Sequence, residues 1–207
     1  MYRRPVIALV LTGLLSGCTS LGKLPTAKLA TARLAHANGV PAGTAILTAA
    51  GDRLTLSIAL TGLPEGPHGM HLHMTGRCEG PGFTSAGGHL NPAARQHGMH
   101  NPAGSHLGDL PNIVVDRQGK GVLSVELNAT RAEAEAALLD ADGTALVIHA
   151  SADDYKTDPT GNSGARIACG VLEQAGRTNM IDLVGGYGAW SATGSSCSIG
   201  SGSSCGK

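Results

Sequence analysis

Met70-His71-Leu72-His73-Met74 decides how this chain is read. Met70, Leu72 and Met74 alternate with His71 and His73, the period of a β-strand with one apolar face and one imidazole face. Two imidazoles on the same face suit a single metal ion. Upstream, Thr44–Leu47 and Leu54–Leu60 are apolar runs joined by Gly51-Asp52 and predict a hairpin. The segment 62–66 carries Pro64 and reads as a turn. Downstream, Cys78–Ser105 is dense in Gly, Pro, Asn and His and shows little periodicity. A loop of that length inside a domain is usually functional, and metal coordination can order it without a hydrophobic core. Ile113–Val115 and Gly121–Leu127 flank a turn at 116–120 and predict a second hairpin. Asn128–Ala137 predicts a short helix capped by Asn128 or Thr130. The sequon Asn128-Ala129-Thr130 reads as coincidental. Ala145–His149 is a buried-type strand, Ala150–Gly164 a polar loop and Ala165–Leu172 a final strand. Short strands at regular intervals predict an all-β sandwich or barrel.

The same neighbourhood holds a set of ligands. His71, His73, His89, His97, His106, Asp109 and His149 include six of the nine histidines in the chain. Imidazoles without a thiolate suit copper, zinc, nickel or non-haem iron better than an iron–sulfur cluster. Six imidazoles and one carboxylate exceed what one first-row ion takes, so two sites with a shared ligand fit the set better than one.

The chain has 207 residues, enough for one domain with tails. Lysine plus arginine and aspartate plus glutamate stand at 15 each, so no basic field is offered to nucleic acid. Aromatic residues make up 2%, which leaves the core to Val, Leu, Ile and Ala and gives metal and disulfide more weight. Arg3-Arg4 followed by the apolar run Val6–Leu15 reads as an export leader, too short to span a membrane. The small residues before Cys18 resemble the lipobox of bacterial lipoproteins, which implies cleavage before Cys18 and its acylation. Thr19 is compatible with sorting to the outer membrane by the same resemblance. Residues 19–36, with the cations of Lys23–Arg33, read as a linker from lipid to domain, and His36 within it as solvated. An exported chain keeps disulfides. Cys78, Cys169, Cys197 and Cys205 allow three pairings. Cys78 and Cys169 flank the ligand cluster in well-patterned segments and are paired on that ground, Cys197 with Cys205 more weakly. Beyond Gln174 the sequence turns to Gly and Ser. The expected organisation is a leader over 1–17, a tether over 18–38, the domain over 39–174 and a tail over 175–207.

Several motifs match a known family. Gly69-Met70-His71-Leu72-His73, Gly76-Arg77-Cys78, the run Ser85–Pro92 and His106-Leu107-Gly108-Asp109-Leu110-Pro111 resemble bacterial copper–zinc superoxide dismutase. So do Leu146-Val147-Ile148-His149, Ala152-Asp153-Asp154 and Gly164-Ala165-Arg166-Ile167-Ala168-Cys169-Gly170-Val171. The resemblance covers roughly 39–173. It implies a Greek-key β-sandwich, or flattened eight-stranded barrel, with long metal-binding and active-site loops. It implies copper on His71, His73, His89 and His149, and zinc on His89, His97, His106 and Asp109. His89 would be a shared imidazolate, since a second ligation needs loss of the ring proton. Superoxide would be disproportionated to dioxygen and hydrogen peroxide by alternating reduction and reoxidation of copper, with zinc structural and a proton taken up at His89. Arg166 matches the active-site arginine, a fixed cationic fork for an anionic substrate. Asp153 matches the carboxylate that links copper and zinc ligands, with Asp154 a rival one residue away. Cys78–Cys169 matches the family disulfide. Met70 departs from the usual aromatic or β-branched residue. His100 is an extra histidine expected at the surface, His68 a structural or surface histidine, and Lys156 an ordinary loop lysine.

Two other readings differ in class. One is a lipid-anchored copper or zinc reservoir or chaperone on the same scaffold. The other is an interaction protein in which metal only stabilises the fold. By the same resemblance the first goes with loss of a copper ligand or the arginine, and the second predicts the zinc set without the open copper site; none of these residues is missing. The expected setting is the periplasm or cell envelope, on a bacterial membrane through the lipid, as a monomer or homodimer.

Overall fold

The computed structural model describes residues 25–176. The leader, Cys18, Cys197 and Cys205 lie outside them. Among the described residues no helix is long and apolar enough to cross a membrane.

Ten strands account for most of the regular structure: β1 Thr26–Ala35, β2 Pro41–Ala50, β3 Arg53–Leu60, β4 Gly66–His68, β5 Met70–His73, β6 Ile113–Val115, β7 Gly121–Glu126, β8 Ala145–His149, β9 Arg166–Val171 and β10 Glu173–Gln174. Antiparallel ladders run in the order β5-β8-β9-β1-β2-β3-β7, with β10 on β1, and curl into a half-barrel. β4 and β6 form a separate pair. After β3 the chain makes β4 in the separate pair and β5 at the far edge of the main sheet, then returns through β6 to lay β7 beside β3. This is the Greek-key habit of sandwiches.

Period-two burial builds the core. Ala45, Leu47 and Ala49 of β2 and Leu54, Leu56, Ile58 and Leu60 of β3 are buried, with Leu47 opposite Leu56. A fully buried leucine contributes about 2 kcal/mol of transfer free energy, so the hairpin alone anchors one end of the sheet. Met70 and Leu72 point into the same core from β5, together with Leu146 and Ile148 of β8. A second, smaller cluster of Phe83, Ala86, Ala145, Val147 and Cys169 lies under the loop after β5. The disulfide Cys78–Cys169 is attached to it.

Two expectations are corrected here. Residues 26–35 are not a tether but the strand β1, set between β2 and β9 with Leu29, Ala30, Ala32 and Leu34 buried. The sheet therefore begins ahead of the expected boundary at 39. His36 is half-buried rather than solvated, its Nδ1 3.2 Å from the Ile167 carbonyl. Ile113–Val115 and Gly121–Glu126 also do not pair as a hairpin. β6 pairs with β4 and β7 with β3, although the turn between them closes through Asp116 and Lys120. The helix α1 spans Arg131–Leu138. Thr130 caps it, accepting from the Glu133 N–H, while the Glu133 carboxylate accepts from the Thr130 N–H.

Candidate metal centre

β5 carries His71 and His73 on the face opposite Met70 and Leu72, and all four residues are buried. One edge of β5 pairs with β8, which ends at His149. The other edge takes the backbone of the loop that follows. Leu90 N–H donates to Leu72 O at 2.8 Å, Leu72 N–H to Gly108 O at 2.9 Å and Met74 N–H to Gly88 O at 3.0 Å. Both ends of the 89–109 loop are thereby fastened to the strand with two of the histidines. Gly108 is required at one of these points, because a Cβ there would come within 2.3 Å of the Leu72 carbonyl oxygen.

Four ring nitrogens stand out in this region. His71 Nδ1, His73 Nε2, His89 Nε2 and His149 Nε2 are buried and have no hydrogen-bond partner. The other nitrogen of each ring is occupied. His71 Nε2–H donates to Asp153 Oδ2 at 2.7 Å, His73 Nδ1–H to Gly87 O at 2.9 Å and His149 Nδ1–H to Gly164 O at 3.1 Å. His89 Nδ1 lies 3.1 Å from Asp109 Oδ1. A neutral imidazole that donates from one nitrogen keeps a lone pair on the other. Ligand atoms of these four histidines lie within 4.8 Å of one another. Orphaned buried polar atoms are rare, and four converging lone pairs are what a cation requires. Burial keeps three of the rings neutral: the His73 pKa falls to about 2, His89 to about 4 and His149 to about 3, in each case chiefly through desolvation.

The second face of His89 opens on another group. Asp109 Oδ1 is 3.1 Å from His89 Nδ1, 2.9 Å from His97 Nδ1 and 3.1 Å from His106 Nδ1. Asp109 Oδ2 accepts from the Gly98 and His106 N–H groups at 2.9 and 3.0 Å. Burial opposes ionisation of this carboxyl, but its hydrogen bonds outweigh that and hold it well below the usual carboxylate range. His97 has carboxylates at both nitrogens, Asp109 at Nδ1 and Asp153 Oδ1 3.1 Å from Nε2. Burial works against its charged form, yet the two acids prevail and raise it to about 9. His71 also lies within 4.8 Å of His89, His97 and Asp109. Its Nε2 is committed to Asp153 and its free nitrogen completes the first set, so His106 is the better fourth member here.

Asp153 thus joins the two groups, with one oxygen on His71 and the other on His97. Asn112 holds it in place. The Asp153 N–H donates to Asn112 Oδ1 at 2.8 Å and Asn112 Nδ2 to Asp153 O at 2.9 Å. Gly161 passes so close that a Cβ would stand 2.0 Å from Asp153 Oδ1 and 2.6 Å from His97 Nε2. Asp154 is exposed and turned away from both groups. It organises its own loop, with contacts to Thr157 and Asn162 holding its carboxyl down at about 2.

Arg166 lines an open cavity of about 610 Å³ together with His73, His89 and His149. Its Nη1 donates to Phe83 O at 2.6 Å and Nη2 to Gly87 O at 2.7 Å. A bulge between β8 and β9 sets His149 opposite Arg166 rather than Ile167, which brings the arginine to the ligand face. Burial alone lowers its pKa. His68 is buried at the edge of the site, with Nδ1 2.7 Å from His149 O and Nε2 2.9 Å from Pro64 O. His100 is exposed and packs edge-on against Tyr155. The sequence gives no pointer to Asn112 or to the Phe83 and Gly87 carbonyls. The only cue to Gly161 is a glycine in a polar loop.

Residues 41–172 match the family model described as copper/zinc superoxide dismutase. The chain is similar to the Cu-Zn superoxide dismutase of Caulobacter vibrioides, 42% identical over 148 residues that cover 70% of this chain and 85% of that protein. It is similar to that of Deinococcus radiodurans at 39% over 184 residues, covering 82% and 94%. Among solved structures, a SOD-like protein from Bacillus subtilis superposes with a TM-score of 0.66 at 38% identity, over 71% of this chain and 100% of that one. The Cu/Zn superoxide dismutase from Brucella abortus gives 0.56 at 30%, over 72% and 100%.

Proposed function

Because the chain belongs to the copper/zinc superoxide dismutase family, we propose that His71, His73, His89 and His149 hold copper and that His89, His97, His106 and Asp109 hold zinc. The activity is that of an oxidoreductase that disproportionates superoxide to dioxygen and hydrogen peroxide. The four unpartnered imidazole nitrogens carry the assignment. Bound copper supplies one-electron chemistry and bound zinc a fixed positive charge.

The chain's own residues do the rest. Arg166 binds the anion at the cavity, its guanidinium already oriented by two carbonyls, so little side-chain entropy is lost on binding. His73, His89 and His149 stay neutral far below pH 7, so their lone pairs remain available. His89 lines the cavity, and its unpartnered Nε2 is the atom at which a proton is held and returned to the reduced product. Asp153 keeps His71 in the tautomer that leaves Nδ1 free. The reservoir reading loses ground because every ligand and the arginine are present.

The remaining parts of the reading concern setting. The leader and Cys18 support export and acylation, with the domain held in the periplasm or cell envelope at a membrane, most simply the outer one, as a monomer or homodimer. Incorporation of labelled fatty acid, lost in Cys18→Ser, tests the anchor. The metal assignment is tested by metal content and by spectroscopy. Loaded protein should contain copper and zinc in equal amounts. A paramagnetic ion in place of zinc should couple to copper through the His89 ring. Two magnetically independent centres would overturn the shared ligand.

A further inference from the structure

The zinc-side ligands lie on a segment without regular secondary structure, so something must fix its backbone. Asp109 Oδ2 does so from within, accepting from Gly98 and His106 N–H. The active-site loop over 150–164 also crosses to this segment. His100 N–H donates to the Tyr155 carbonyl at 3.0 Å. The His97 N–H donates to Asp158 Oδ1 at 2.5 Å, and the same oxygen is 3.9 Å from His106 Nε2. This is the only hydrogen bond of the Asp158 side chain among the described residues, and the side chain is otherwise 46% exposed. Asp154, four positions earlier, behaves differently. Its oxygens accept from Lys156, Thr157 and Asn162, all within its own loop. One aspartate shapes the loop and the other reaches out of it.

We propose that Asp158 is a positioning residue for zinc retention: its carboxylate holds the peptide N–H of His97 and pins that ligand from the active-site loop. The inference rests on the zinc assignment made above. The physical reason is entropic. A ligand whose own peptide can rotate loses that freedom when it closes on an ion. A charged acceptor on the N–H removes the freedom beforehand, with about twice the strength of a neutral one. Asp153 orients the His97 ring from Nε2, and Asp158 orients its backbone. Both come from the same loop, so displacement of that loop would release both restraints together.

The test is zinc release from fully loaded protein into excess chromogenic chelator, followed beside the copper electron paramagnetic resonance spectrum. Asp158→Ala should release zinc about tenfold faster, the factor that 1.4 kcal/mol represents, with the copper spectrum unchanged until zinc leaves. Asp158→Asn keeps an oxygen acceptor at the same place and should recover most of the wild-type rate. A role through net charge alone would not separate these two variants, because both remove the carboxylate charge. His97→Ala serves as reference and should fail to retain zinc. If it fails while Asp158→Ala holds zinc as wild type does, the positioning role is wrong and the ligand set stands. If Asp158→Asn releases zinc as fast as Asp158→Ala, the hydrogen bond to His97 is not the agent. If His97→Ala retains zinc normally, the ligand assignment itself is wrong.

Discussion

On the proposed metal assignment, the copper half and the zinc half share His89 and little else in construction. The copper-side histidines 71, 73 and 149 are buried, the first two on β5 and the third at the end of its antiparallel neighbour β8. Three of the zinc-side residues, His97, His106 and Asp109, lie in a segment without α-helix or extended strand. A sheet ladder fixes ligands before any ion arrives. The zinc half instead relies on carboxylates that accept from backbone N–H groups and on the ion itself. Geometry built into strands is cheap to keep, whereas geometry built into loops has to be restrained one peptide at a time.

The largest expected effect is on the strand-held half. His149→Ala removes one of four donors, and superoxide decay monitored spectrophotometrically should fall to background while zinc content stays normal. Loss of zinc in that variant would break the division into halves. Gly161→Ala attacks the link instead, since its methyl collides with Asp153 and His97. Competition titration should give zinc affinity about 10–100-fold weaker, the usual cost of disturbing a group that orients ligands, with copper affinity less affected. In the zinc-depleted protein, hydrogen exchange should rise across 91–106 while β5 and β8 keep their protection. Uniform loss would show the zinc half is structural for the whole sheet. Arg166→Ala should retain both metals and lose about tenfold in rate, as expected for one charge-assisted contact, with a weaker salt dependence.

The smallest effect is in pH. His73, His89 and His149 have folded pKa values below the unfolded value near 6.5. The unfolded metal-free chain therefore takes up their protons first, and stability falls as pH drops from 6.5 through about 4 for His89, about 3 for His149 and about 2 for His73. His97 acts with the opposite sign. Its pKa is raised to about 9, so its contribution is complete below 6.5 and disappears between 6.5 and 9. Urea midpoints of the metal-free protein should decline on the acid side, where three groups outnumber one, and decline more gently on the alkaline side. Replacing His97 with Gln should abolish the alkaline decline alone.

The histidine cluster was legible in the sequence because histidine is scarce here and the His71–His73 alternation has one simple reading. The strand β1 was not legible. Half of its inward residues are alanine, and a register shift between Lys28 and Ala30 interrupts the period of two. The segments around 113–115 and 121–126 imitate a hairpin because a tight turn joins them, and only the tertiary ladders show that they part. The carbonyls of Phe83 and Gly87, which hold Arg166, are backbone atoms and carry no residue signature. The bulge that aims Arg166 is equally silent, since one unpaired residue leaves composition unchanged.

β1 has a consequence for synthesis. The first strand of the domain is fastened to the last long one, with Ala35 opposite Cys169. That seam joins residues more than 130 apart, as the contact of His36 with Ile167 illustrates. Such long-range closure is slow, and it cannot begin until the final strand has emerged from the ribosome. The nascent domain therefore keeps β1 without its β9 partner until that last long strand is available to pair.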